Sequence, residues 1–200
     1  AAENPSYLSR LSVAFWSTLL PTLALAVFLF ATVFFFDYFN VLRGDIGTYL
    51  NTLFAVVGVV FGVNRLANAV LSPRLPNWRL IAIESATAHR LVQLATAMAV
   101  VIGLNSFLTV VNETMGSPLS LTIARSFLAA VIVGVLLILI GLLRDEHGSW
   151  RPWRAWLRHT AIALGCFIIA VALFGYIGLA TFISLQVVIT GTVLLTAYIG

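Results

Sequence analysis

Three groups of side chains in this sequence have the types and spacing to do chemistry. The run Asp145-Glu146-His147 offers metal ligands on paper. Ligands adjacent in sequence on one loop rarely converge on a single ion, so solvated charge is expected there. Arg125 stands inside an apolar run, with Glu113 across a short polar turn. A charge within a membrane span is costly and is a functional candidate by default. Arg125 is close enough to the end of its run to snorkel, so a Glu113–Arg125 ion pair that anchors the helix is the expectation. The third group is the stretch 144–159, where Arg144, Arg151, Arg154 and Arg158 interleave with Trp150, Trp153 and Trp156. Residues 126–143 and 160–200, on either side, carry no charge. Arg beside Trp between two apolar runs marks a place where the chain leaves a bilayer, touches the headgroups and returns.

Catalytic patterns are absent. The sequence has no HExxH, no CxxC, no Gly-rich phosphate loop and no Gly-x-Ser-x-Gly. Its seven acids, Glu3, Asp37, Asp45, Glu84, Glu113, Asp145 and Glu146, lie at run ends or in connections, not mid-span where a proton relay or cation site would need them. His89, His147 and His159 fall near one membrane face, and Cys166 has no partner for a disulfide. The chain is therefore expected to be no enzyme and to bind no cofactor and no metal.

The elements that carry these groups follow from composition. The chain is 61% hydrophobic and 9% charged, with a mean hydropathy of +1.05. Soluble domains carry about a quarter charged residues, so lipid must cover most of this surface. The net charge is +4; the positive charge is all Arg, and apart from Arg125 it lies in connections and at run ends. That pattern reads as membrane topology and anionic-lipid contact, not as nucleic-acid binding.

Apolar runs over about 11–36, 46–71, 86–111, 119–143, 156–174 and 179–200 predict an all-α, polytopic fold of six transmembrane helices in successive hairpins, about 11–71, 86–143 and 156–200. Pro21 should kink or loosen the first. Residues 160–200 are too long for one span, and Gly175-Tyr-Ile-Gly178 is the expected break. Gly58-Val-Val-Phe-Gly62 and the stripe Ala95, Ala99 and Gly103 offer close-packing faces, Gly58 and Gly62 within this chain in preference to a dimer contact or a hinge. Arg10, Arg74, Arg79, Arg90, Arg144, Arg151, Arg154 and Arg158, with Arg65 snorkelling beside them, fall on one face; Arg43 and Arg125 fall on the other. This bias predicts both ends cytoplasmic. The interfacial anchors and lipid contacts are Trp78, Arg79, Arg144, Trp150, Arg151, Trp153, Arg154, Trp156 and Arg158.

Pro76-Asn-Trp-Arg79 echoes Pro152-Trp-Arg154, a faint sign of a repeated unit, although the same forces choose Arg and Trp for any cytoplasmic loop. The hairpins with Arg/Trp connections, as in Leu75-Pro-Asn-Trp-Arg-Leu80, together with Ala180-Thr-Phe-Ile-Ser-Leu-Gln-Val-Val-Ile-Thr-Gly-Thr-Val-Leu-Leu195, resemble the N-terminal membrane region of enlarged bacterial channels of the small-conductance mechanosensitive family. The resemblance covers most of the chain in texture and order. It implies a sensor paddle of a tension-gated, homo-oligomeric (heptameric) inner-membrane channel acting in osmotic protection, with membrane lipids and the remainder of a parent chain as partners. The family's Ala/Gly-rich pore helix and soluble vestibule are not in these 200 residues, so the chain is expected to be a fragment. A permease-type transporter or a structural anchoring bundle is the alternative. A permease would carry interrupted helices in matching positions, and Pro21 has no counterpart.

Overall fold

The computed structural model describes residues 7–42, 44–72, 85–143 and 152–199. They form α1 (Tyr7–Tyr38), α2 (Ile46–Leu71), α3 (Ser85–Thr114), α4 (Leu119–Leu142), α5 (Pro152–Leu173) and α6 (Ile177–Ile199). No strand occurs among the described residues. All six helices are long and apolar enough to cross a bilayer, the signature of a multi-pass membrane protein. α1 continues through Pro21 without a break. Around the proline, Thr18 Oγ1 donates to the carbonyls of Ala14 (3.0 Å) and Phe15 (2.8 Å), and Thr22 Oγ1 to that of Thr18 (2.7 Å). Pro21 has no N–H to give the Ser17 carbonyl, and these hydroxyls bond other carbonyls of the same turns. At 32 residues α1 is about 48 Å long against a hydrocarbon core of about 30 Å, so it tilts or projects into the headgroups.

Three short turns end their helices the same way. Tyr176 N–H reaches the Val171 carbonyl and Gly175 N–H that of Ala172, with Gly175 at φ +86°. Ser117 N–H reaches Asn112 and Gly116 N–H reaches Glu113, with Gly116 at φ +63°. Val41 N–H reaches Phe36 and Asn40 N–H reaches Asp37, with Asn40 at φ +52°. Each is a Schellman cap, which satisfies the last carbonyls and stops the helix through one left-handed residue. The break expected at 175–178 is therefore a cap on Gly175.

The helices run antiparallel in sequence order, but the most extensive packing lies between α4 and α5 and between α2 and α3. These pairs are joined through the basic connections, not through the short turns. The α4–α5 contact is a glycine seam. A Cβ on Gly165 would stand 2.6 Å from the Gly134 carbonyl oxygen, and one on Gly134 would stand 2.9 Å from that of Gly165. One pair of turns along, a Cβ on Gly141 would meet the Arg158 carbonyl at 3.1 Å. Without side chains at these points the two backbones nearly touch, which maximises dispersion where no hydrophobic effect drives association.

One buried cluster joins α3 to α6 through Met98, Ala130, Val133, Leu137, Ile168 and Ala180. A second joins α2 and α3 through Ala67, Val70, Ala88 and Val92, with Leu11 of α1 packed against it. α1 adds little else to the interior. Among its described residues only Ala14 is buried.

Candidate functional site

The polar cluster in the α3–α4 hairpin is built by register. Antiparallel helices that meet at the turn 115–118 bring residues equidistant from it alongside each other. Asn105 and Thr109, one turn apart on α3, thus face Arg125 on α4. Arg125 Nη2 donates to Thr109 Oγ1 at 2.7 Å and Nε donates to Asn105 Oδ1 at 3.2 Å. Ser126 Oγ lies 3.4 Å from the same amide oxygen, and Thr109 Oγ1 donates to the Asn105 carbonyl at 2.8 Å. Asn105 is 8% exposed and is one of two buried polar residues among those described, with Ser184. A small cavity of about 40 Å³ adjoins it between α3, α4 and α6, lined in part by Asn105, Ser106, Thr181 and Ser184. That space suits a water molecule or two.

The ion pair expected between Glu113 and Arg125 is not among the contacts of the described residues. Glu113 is exposed, and Arg125 is held instead by neutral oxygens of α3. The physical reason is reach. The α4 register sets the guanidinium beside the Asn105 face, about two turns below the helix end where Glu113 sits.

The expected packing residues divide. Ala99 is 2% exposed, Ala95 is half-buried, and a Cβ on Gly103 would stand 2.6 Å from Val56 Cγ1 of α2. This stripe is a close-packed face. Gly58 and Gly62 are not: nothing lies within 4 Å of a Cβ built on either. α2 meets α3 through Val56, Val63, Ala67 and Val70 and through the Asn64 Nδ2 to Thr96 Oγ1 bond of 2.9 Å, on another side of the helix from the two glycines. The α4–α5 seam of Gly134, Gly141 and Gly165 was not anticipated. Its signal was the spacing Ala130, Gly134 and Gly141, small residues recurring along one stripe.

Of the expected anchors, Trp156 is 69% exposed at the start of α5 and Arg158, one turn inward of Arg154, is half-buried with its carbonyl against Gly141. Trp153 and Arg154 lie in the first turn of α5, and their side chains are outside the described set. Trp78, Arg79, Arg144, Trp150 and Arg151, and the run Asp145–His147, lie outside the described residues. Among the described residues no group of three His, Cys, Asp or Glu side chains could hold a metal ion.

Comparison with known proteins returns no matching family, no matching curated relative and no matching solved structure.

Proposed function

We propose that this chain is the lipid-contacting, tension-sensing helical region of a mechanosensitive ion channel in a bacterial inner membrane, with both ends cytoplasmic. One observation carries the reading. α1 is a 32-residue helix in which only Ala14 is buried among the described residues, while Phe28, Phe30, Phe34 and Phe35 are more than half exposed. A helix held to the bundle at its cytoplasmic end, through Ala14 and Leu11, and wetted by lipid along most of its length responds to bilayer thickness and area by tilting. The glycine seam between α4 and α5 supplies the stiff body against which such a helix moves. The polar cluster around Arg125 is small and half-enclosed, and no acid joins it among the described contacts, which weighs against a cation-coupled permease.

Patch recordings of the full-length natural protein in giant spheroplasts test the reading. The expected result is a current that appears only under suction. Solute uptake without a tension-activated current would overturn it in favour of a permease, and neither activity would leave the anchoring bundle.

A further inference from the structure

The small cavity between α3, α4 and α6 has a donor on one wall and acceptors on the other. The α3 wall carries Asn105, 8% exposed. A guanidinium can only donate, so the side-chain atom that Arg125 Nε reaches at 3.2 Å is the amide oxygen. The same oxygen faces Ser126 Oγ, which turns the NH2 end away from both. Asn105 Nδ2 meets no acceptor among the described residues. It is not among the fully enclosed polar atoms either, so it opens on the cavity that Asn105 lines. The α6 wall carries Thr181 and Ser184, three residues apart and therefore on one helix face. Thr181 Oγ1 donates to the Ile177 carbonyl at 2.9 Å, and Ser184 Oγ donates to that of Ala180 at 2.8 Å. With their protons committed to their own helix, both hydroxyls offer the cavity lone pairs only.

This arrangement selects its occupant. A cation would meet an N–H donor with the Arg125 charge behind it. An anion would face the hydroxyl lone pairs. A lipid carbonyl could accept from Asn105 but has no proton for Thr181 or Ser184. Water accepts and donates, and about 40 Å³ holds one or two molecules. We propose that a buried water bridges α3 to α6 here, accepting from Asn105 Nδ2 and donating to Thr181 Oγ1 and Ser184 Oγ. Three partners is the usual complement of a buried water. Asn105 lies about 14 Å from the end of α3 at Thr114. At that depth hydrocarbon supplies no acceptor, and an unmet amide donor is costly. The bridge engages both ends of the Asn105 amide, so its oxygen stays on Arg125. The site requires only that α3, α4 and α6 stand in a bilayer, so it holds whether or not the chain gates a channel.

Water-edited solid-state NMR tests the bridge on the full-length natural protein, isotope-labelled at asparagine and arginine side-chain nitrogens, in bilayers of phosphatidylcholine. That lipid has no hydroxyl, so a fast transfer to the amide comes from water. N105Q removes the residue from the asparagine label and assigns its signal. In the wild type, magnetisation should pass from water to the Asn105 Nδ2 protons. T181V/S184A takes away both acceptors and little volume, and should lose the transfer while the Arg125 Nε shift stays in place, which separates a lost water from a lost fold. S126A removes a hydroxyl outside the cavity and should keep the transfer. Absence of transfer in the wild type, transfer from acyl-chain protons in its place, or transfer undiminished in T181V/S184A overturns the bridge. The wild-type result depends on no variant folding, so the proposal can fail on it alone.

Discussion

Arg125 Nη2 sits 2.7 Å from Thr109 Oγ1, so a full charge about 9 Å along α4 is held by a neutral hydroxyl of the preceding helix. Its Nε shares the arrangement with Asn105 Oδ1. Removing an acceptor leaves a guanidinium donor facing apolar groups. Thr109→Val, nearly isosteric, should therefore lower stability in detergent by about 1 kcal/mol, the upper part of the range for interhelical hydrogen bonds in membranes. Glu113→Gln should change it by no more than a few tenths, as a surface group does. Equilibrium unfolding of both variants gives the answer. An equal loss in Glu113→Gln would restore the ion pair as the anchor.

The α4–α5 seam predicts a sharp contrast between glycines. At Gly165 a methyl would stand 2.6 Å from a backbone oxygen, which cannot rotate away. Gly165→Ala should force the helices apart and destabilise by roughly 1–3 kcal/mol. Gly58→Ala and Gly62→Ala meet open space and remove a poor helix former, so their stability should hold or rise. Melting of the three single variants, under one detergent condition, ranks them. A loss at Gly58 or Gly62 as large as at Gly165 would show that those two glycines pack on something outside this chain.

The contrast also shows where sequence reasoning reaches. Span limits were legible because, Pro21 and Arg125 apart, charges and prolines gather at the ends of the apolar runs and between them, and the last turn was legible because Gly175 can take φ +86° where other residues are strained. The partners of each helix were not. α4 is apolar on every side, so no periodicity separates the face toward Gly165 from the face toward lipid. Hydropathy reports distance from water and nothing more, since lipid tails are as apolar as Leu. Gly58 and Gly62 matched a packing motif yet faced open space for the same reason. Asn105 escaped notice because one uncharged amide does not interrupt a hydrophobic run. The register of the hairpin at 115–118 could have paired it with Arg125.

Topology can be read with one native probe and two introduced ones. Cys166 is exposed on α5, mid-helix, so lipid rather than water should cover it. A membrane-impermeant maleimide should leave it unmodified in intact cells and in lysed membranes alike. In a Cys166→Ser background, Met115→Cys, at a turn residue 70% exposed, should label from outside, and Ser149→Cys only after lysis. Labelling of the Ser149 position in intact cells would invert the orientation.

The connection between α4 and α5 makes the last prediction. Trp150, Trp153 and Trp156 recur every three residues around the start of α5, and Trp156 projects outward at 69% exposure. An indole prefers the headgroup layer because its ring is apolar and its N–H wants a partner. On the tension-sensing reading proposed above, indoles at this connection set the depth of the α4–α5 pair. A bilayer that thins under tension then acts on α1 relative to a body that holds its level. Replacing the three Trp residues together by Ala leaves the helices and the glycine seam intact but frees that body to move with the lipid. Part of the applied tension is then spent on moving the whole bundle, and less reaches the relative tilt. In patch recordings of the full-length natural protein the threshold pressure should rise, while unitary conductance should not change. An unchanged threshold would remove the pivot from the connection. A changed conductance would place these indoles near the ion path instead of at the membrane edge.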